Sequence, residues 1–128
     1  MTNLRKVLII EDDKELLDFY TSMCETVEDQ VICTIATNGE EGVKSLETEK
    51  FEAIILDLVM PGTDGYGVLD YLKDCQLNKF VPVTVLTNLD TEEDRIKTKA
   101  LGVNRYFVKA DLSNSQIKSI LRGEDLNA

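Results

Sequence analysis

The chain has 128 residues, with 14 Lys and Arg against 24 Asp and Glu, giving a formal net charge of −10, and it contains no histidine. A domain of that length buries roughly 68% of the surface its unfolded chain exposes, and a 43% apolar content supplies one core without metal or disulfide staples. The acidic balance argues against direct nucleic-acid or anionic-membrane binding, the missing histidine removes Ser-His-Asp and Cys-His catalysis, and the apolar runs fall far short of a membrane span.

From the start, Met-Thr-Asn-Leu-Arg-Lys leads straight into an apolar run with no signal-peptide core, and Lys6 to Ile10 reads as a first strand. After Glu11-Asp12-Asp13, a helical pattern puts Leu16, Tyr20, Met23, Cys24 and Val27 on one stripe and turns Asp18, Thr21, Ser22 and Glu25 outward. Val31 to Ile35 is a second strand, Asn38-Gly39 a turn, and Val43 and Leu46 mark a second helix. Ala53 to Leu56 is the third strand; Pro61-Gly62 and Asp64-Gly65 bracket a loop, and Val68, Leu69 and Leu72 lie on a third helix. Val83 to Leu86 is the fourth strand, followed by a capping box of Asp90 with Glu93, a helix with Ile96, Ala100 and Leu101 inward, and Gly102 as its stop. Tyr106 to Val108 is the fifth strand, and Ile117, Ile120 and Leu121 stripe a last helix near 114–122, ahead of a polar tail over 123–128.

Five short β-branched strands alternating with five helices predict an α/β domain over residues 1–128: a doubly wound parallel sheet of order 2-1-3-4-5, helices on both faces. Cys24, Cys33 and Cys75 are odd in number and widely separated, so neither a disulfide framework nor a thiolate zinc site is expected, and a reducing cytoplasm fits.

Ligands in such sheets sit beyond the carboxyl ends of the strands where the order reverses, between the first and third strands. There Glu11, Asp12 and Asp13 follow the first strand and Asp57 ends the third. Two unit charges about 4 Å apart repel by about 4 kcal/mol at an effective dielectric of ~20, so the cluster calls for something positive, such as Mg²⁺. Asp13 is better read as an N-cap. Thr87 and Lys109 end the fourth and fifth strands, completing a carboxylate nucleophile, a cation site, a hydroxyl and an ammonium, the set that phosphoryl transfer to an aspartate requires.

Val7-Leu8-Ile9-Ile10-Glu11-Asp12-Asp13, Asp57-Leu58-Val59-Met60-Pro61-Gly62-Thr63-Asp64-Gly65, Thr87 and Tyr106-Phe107-Val108-Lys109 closely resemble, in order and spacing, the receiver (response-regulator) domains of two-component signalling, with the flavodoxin-like fold of the CheY type. The resemblance implies Asp57 as phosphoacceptor. It implies Mg²⁺ held by Asp12, Asp57 and the Val59 carbonyl, with Glu11 acting through water. Thr87 and Lys109 would contact the phosphoryl oxygens, and Tyr106 would be the aromatic that turns inward when Thr87 is drawn toward the phosphate. The donor would be a histidine kinase or phosphotransfer protein. The output partner would dock on the fourth helix, fifth strand and fifth helix of a monomer or a weak phosphorylation-dependent dimer.

The sequence departs from the family pattern at Ala110, where proline usually follows the lysine, at Asn88, where a small residue is usual, and at Val59 and Leu89, which are apolar where many relatives are polar. A phosphorylation-independent interaction module is an alternative, which the intact acids, Thr87 and Lys109 argue against. A haloacid-dehalogenase-type phosphohydrolase is another, and there Val59 stands where that family carries a second aspartate.

Overall fold

The computed structural model describes residues 4–126. Its strands, β1 (Arg5–Ile10), β2 (Val31–Ala36), β3 (Ala53–Leu56), β4 (Val83–Thr87) and β5 (Arg105–Val108), form one parallel sheet of order β2-β1-β3-β4-β5. Between and after them run α1 (Lys14–Thr26), α2 (Gly39–Thr48), α3 (Gly65–Leu72), α4 (Glu92–Ala100) and α5 (Asn114–Arg122), with a single 3-10 turn at Lys109–Asp111. The expected order is the observed one, and β3 has the expected bounds.

Strand alternation divides the core between two faces. Leu8 and Ile10 of β1 point to the face packed by Leu46 of α2 and by Val68, Leu69 and Leu72 of α3. Val7 and Ile9 point to the other face, closed by Tyr20 and Met23 of α1 and by Ile117, Ile120 and Leu121 of α5. Burying side chains of this size stabilises the fold by about 1.5–3 kcal/mol each. Helix starts are fixed locally: Asp13 caps α1 by accepting the Leu16 N–H at 3.1 Å, as its position predicted, and Ser113 and Gln116 form a capping box at α5 that the sequence reading passed over.

Three expectations are corrected. The fourth helix does not bury Ile96, Ala100 and Leu101 together: Ile96 is 62% exposed, Ala100 is exposed and Leu101 half-buried, while Thr98 is the residue turned inward, its hydroxyl donating to the Asp94 carbonyl at 2.8 Å. An acidic and basic sequence leaves α4 with little apolar surface to anchor it. Its cap is Thr91, which accepts the Asp94 N–H at 3.0 Å, whereas Asp90 pairs with Arg95 at 3.1 Å. Finally, Cys24 and Cys33 are disulfide-bonded with Cα atoms 6.3 Å apart, because the chain leaves α1 through a short turn and runs back beside it as β2. Cys75 is a buried free thiol. No helix among the described residues is long and apolar enough to cross a membrane. Of the polar tail, residues 127 and 128 lie outside the described residues, as does the chain start at 1–3.

Candidate functional site

Strand register assembles the site. Ile10 of β1 is paired with Leu56 of β3, so the next residues, Glu11 and Asp57, leave the sheet side by side, and the Asp57 N–H donates to the Ile10 carbonyl at 3.2 Å. Leu56 is paired with Val85, and Thr87 with Val108, which brings Thr87 and Lys109 to the same edge. Gly65, the first residue of α3, is required by proximity: a Cβ there would sit 2.5 Å from the Asp57 carbonyl oxygen and 2.6 Å from the Leu58 Cα.

These elements enclose a cleft of about 360 Å³ lined by Glu11, Asp12, Asp57, Val59, Thr87 and Lys109, together with Asp13, Leu16, Asn88 and Leu89. Glu11, Asp12 and Asp57 each present a carboxylate oxygen within 4.8 Å of the others. Glu11 is buried and fully engaged. Its Oε2 accepts the N–H groups of Asp12 at 3.1 Å and Asp13 at 3.2 Å, and its Oε1 accepts Lys109 Nζ at 2.6 Å. Lys109 also donates to Asp57 Oδ2 at 3.1 Å, and Asp57 Oδ1 takes only a longer contact from the Val59 N–H at 3.3 Å. Lys109, followed by Ala110 where the family usually has proline, reaches both acids from the 3-10 turn.

Desolvation by burial pushes the Glu11 carboxyl up to about 7, with the hydrogen bond from Lys109 opposing and the neighbouring Asp57 charge adding to the rise. Tyr20, beneath the cleft, has its hydroxyl pushed up by burial and then by the charges of Glu11 and Asp57. Both shifts come first from burial, with neighbouring acidic charge adding to the rise. The donor set of three carboxylates is all hard oxygen and fits a divalent cation of the Mg²⁺ class.

Thr87 is fully buried, and its Oγ1 accepts the Leu89 N–H at 3.3 Å. The carbonyl of that same Leu89 accepts the Tyr106 hydroxyl at 2.7 Å, and the Arg95 guanidinium lies 4.7 Å from the Tyr106 ring centroid. One peptide segment therefore links Thr87 to Tyr106. Tyr106 is half-buried, lying against the loop from β4 to α4. Val59 is 56% exposed and Asn88 is exposed at the rim.

Sequence reasoning missed Tyr66, whose hydroxyl bonds Asp94 of α4 while the Lys97 ammonium sits 4.3 Å from its ring centroid. It also missed Glu40, which accepts the Thr63 N–H at 2.7 Å. Neither pairing has a local signal, since the partners are 28 and 23 residues apart.

Comparison with known proteins matches residues 7–122 to the response regulator receiver domain. The chain is 32% identical over 127 residues to the alkaline phosphatase synthesis transcriptional regulatory protein PhoP of Bacillus subtilis, covering 97% of this chain and 51% of that protein. It thus spans about half the length of that relative. Among solved structures, chemotaxis protein CheY4 of Vibrio cholerae superposes with a TM-score of 0.83 at 21% identity, over 94% of this chain and 98% of that one. The receiver domain of the Pseudomonas aeruginosa sensor histidine kinase PA1611, solved with a magnesium ion coordinated in its active-site cleft, gives 0.79 at 22% identity, over 95% of this chain and 100% of that one. Both are likenesses of fold.

Proposed function

The chain belongs to the response regulator receiver family, the phosphoryl-transfer switches of two-component signalling, and from that membership we propose that residues 1–128 act as one receiver unit whose phosphoacceptor is Asp57. The observation that carries the assignment is the convergence of Asp57 with Glu11, Asp12 and Lys109 in the lining of one cleft.

The donor is a phosphohistidine on a histidine kinase or phosphotransfer protein, since this chain has no histidine of its own. A carboxylate oxygen of Asp57 attacks phosphorus, the P–N bond to the donor imidazole breaks, and the imidazole takes up a proton as it leaves. Lys109, already 3.1 Å from Asp57, follows the charge onto the phosphoryl oxygens. Asp12, Asp57 and the Val59 carbonyl would hold Mg²⁺, with Glu11 acting through water; when bound, the ion neutralises charge developing on the transferring group. A cytoplasmic setting, where the kinase draws on nucleotide, belongs to the same proposal on that ground alone, since the Cys24–Cys33 bond removes the cysteine argument for a reducing compartment.

The added group carries roughly −1.5 to −2 charges and strong acceptors. Thr87 then donates its hydroxyl to a phosphoryl oxygen and releases the Leu89 N–H, and Leu89 draws the Tyr106 hydroxyl with it. Helix α4, held by so little buried apolar surface, is the element able to respond. The output surface is α4, β5 and α5. Thr87→Ala is expected to leave Asp57 modifiable while abolishing the change in amide exchange over α4 that phosphorylation produces in the wild type. An α4 response of wild-type size in this variant contradicts the link through Leu89.

Phosphoryl loss is expected to be slow. Hydrolysis needs a water in line with the Asp57 oxygen, and the flanking side chains Val59 and Leu89 neither donate nor accept hydrogen bonds. The double variant Val59→Asn with Leu89→Glu is expected to lose phosphate at least several-fold faster at saturating Mg²⁺, as followed by intact mass over time. An unchanged or slower rate means that water is controlled elsewhere in the cleft.

A further inference from the structure

The loop from β3 to α3 carries Val59; Met60 anchors it in the core, and its remaining tethers are a few hydrogen bonds. Its base is closed by the Gly65 N–H on the Leu58 carbonyl at 3.2 Å, and Asp64 turns away to cap α3 through the Gly67 N–H at 2.9 Å. Between these, Val59 is held by its N–H on Asp57 Oδ1 at 3.3 Å, and its side chain, 56% exposed, anchors nothing. Beyond Met60, the turn is joined to α2 through Thr63, whose N–H donates to Glu40 Oε1 at 2.7 Å and whose hydroxyl also bonds that carboxylate. The same oxygen lies beside the turn. Gly62 has φ 75°, and a Cβ built on it would lie 2.9 Å from Glu40 Oε1.

We propose that Glu40, outside the cleft, is a positioning residue for its cation site, pinning the Pro61–Thr63 turn so that the Val59 carbonyl is held toward Asp57 and Asp12. The inference rests on reading the cleft as a phosphoacceptor site that takes a divalent cation. A charge-assisted bond that a carboxylate accepts from a backbone N–H is among the stronger tethers an exposed residue can make. Without it, the turn beyond Met60 samples more orientations, and binding must supply the lost order.

A second explanation predicts a similar trend, because an acidic side chain near the site also attracts a cation through its charge alone. Glutamine separates the two: it keeps an acceptor oxygen within reach of Thr63 and removes the charge. Mg²⁺ titration of the intact protein by calorimetry is expected to show Glu40→Ala weakened about fivefold, the size of one ordinary net hydrogen bond, as suits an exposed residue, and Glu40→Gln close to wild type. In the metal-free proteins, the Thr63 amide is expected to exchange faster in Glu40→Ala and at nearly the wild-type rate in Glu40→Gln. Unchanged affinity in Glu40→Ala overturns the inference, and so does a Glu40→Gln variant as weak as Glu40→Ala. Wild-type protein that takes up no Mg²⁺ refutes the reading of the cleft itself, whereas wild-type binding matched by Glu40→Ala refutes only the role of Glu40.

Discussion

Asp57→Ala is expected to take up no phosphoryl group from a small acyl-phosphate donor or from a phosphohistidine partner, at any Mg²⁺ concentration. The other acids of the cleft cannot substitute for it. Glu11 has both oxygens committed, to Lys109 and to two backbone N–H groups, and Asp13 spends its carboxylate capping α1. Asp12 lies on the loop side, without the lysine that must follow the transferred charge. The variant should also fold at least as well as the wild type, because it removes a like charge beside buried Glu11 and leaves the Glu11–Lys109 pair intact. A loss of labelling is therefore a loss of the acceptor and not of the fold. Labelling of Asp57→Ala at the wild-type level, by intact mass, contradicts the assignment.

Asp12→Ala is expected to reduce Mg²⁺ affinity at least tenfold, on the scale of removing a metal ligand's support. In the wild type, Mg²⁺ at about a hundred times its Kd should stabilise the fold by about 2.7 kcal/mol, a rise in melting temperature on the order of 10 °C for a domain of this size. The variant should lose that rise. The pH dependence follows from Glu11, whose carboxyl is pushed up to about 7 by burial. A raised carboxyl favours the protonated form in the folded state, so metal-free stability falls as pH rises from the ordinary carboxylate range toward 7. Mg²⁺ binding favours the ionised form, so affinity rises over the same interval, about tenfold per unit at its steepest, and levels off above 7. Affinity in Asp12→Ala equal to wild type contradicts the acidic cluster as a cation site, and a wild-type affinity flat between pH 5.5 and 8 contradicts the raised Glu11 carboxyl.

The sheet was legible because its signal is local. Runs such as Ala53 to Leu56 are short, apolar and β-branched, and parallel order with right-handed crossovers leaves few arrangements. The site was legible for the same reason: register fixes which strand-end residues become neighbours, so Glu11, Asp57, Thr87 and Lys109 converge once the strand order is known. Helix α4 was misread because Ile96 and Leu101 look like a stripe, yet the flanking charges leave it turned by Thr98 toward the sheet. Tyr66 with Asp94, and Glu40 with Thr63, depend on how helices sit across the sheet edge, which no spacing encodes. The Cys24–Cys33 bond was missed because spacing rules look for paired motifs, whereas this pair is made by a helix and the strand that doubles back along it.

Intact mass of the wild-type chain after incubation with a small acyl-phosphate donor, with Mg²⁺ and with a chelator in its place, tests the central claim most directly. The account predicts the addition of one phosphoryl group in Mg²⁺, mapped to Asp57 by peptide analysis, and little or none in chelator. No addition in Mg²⁺, or an addition mapped to a residue other than Asp57, contradicts it.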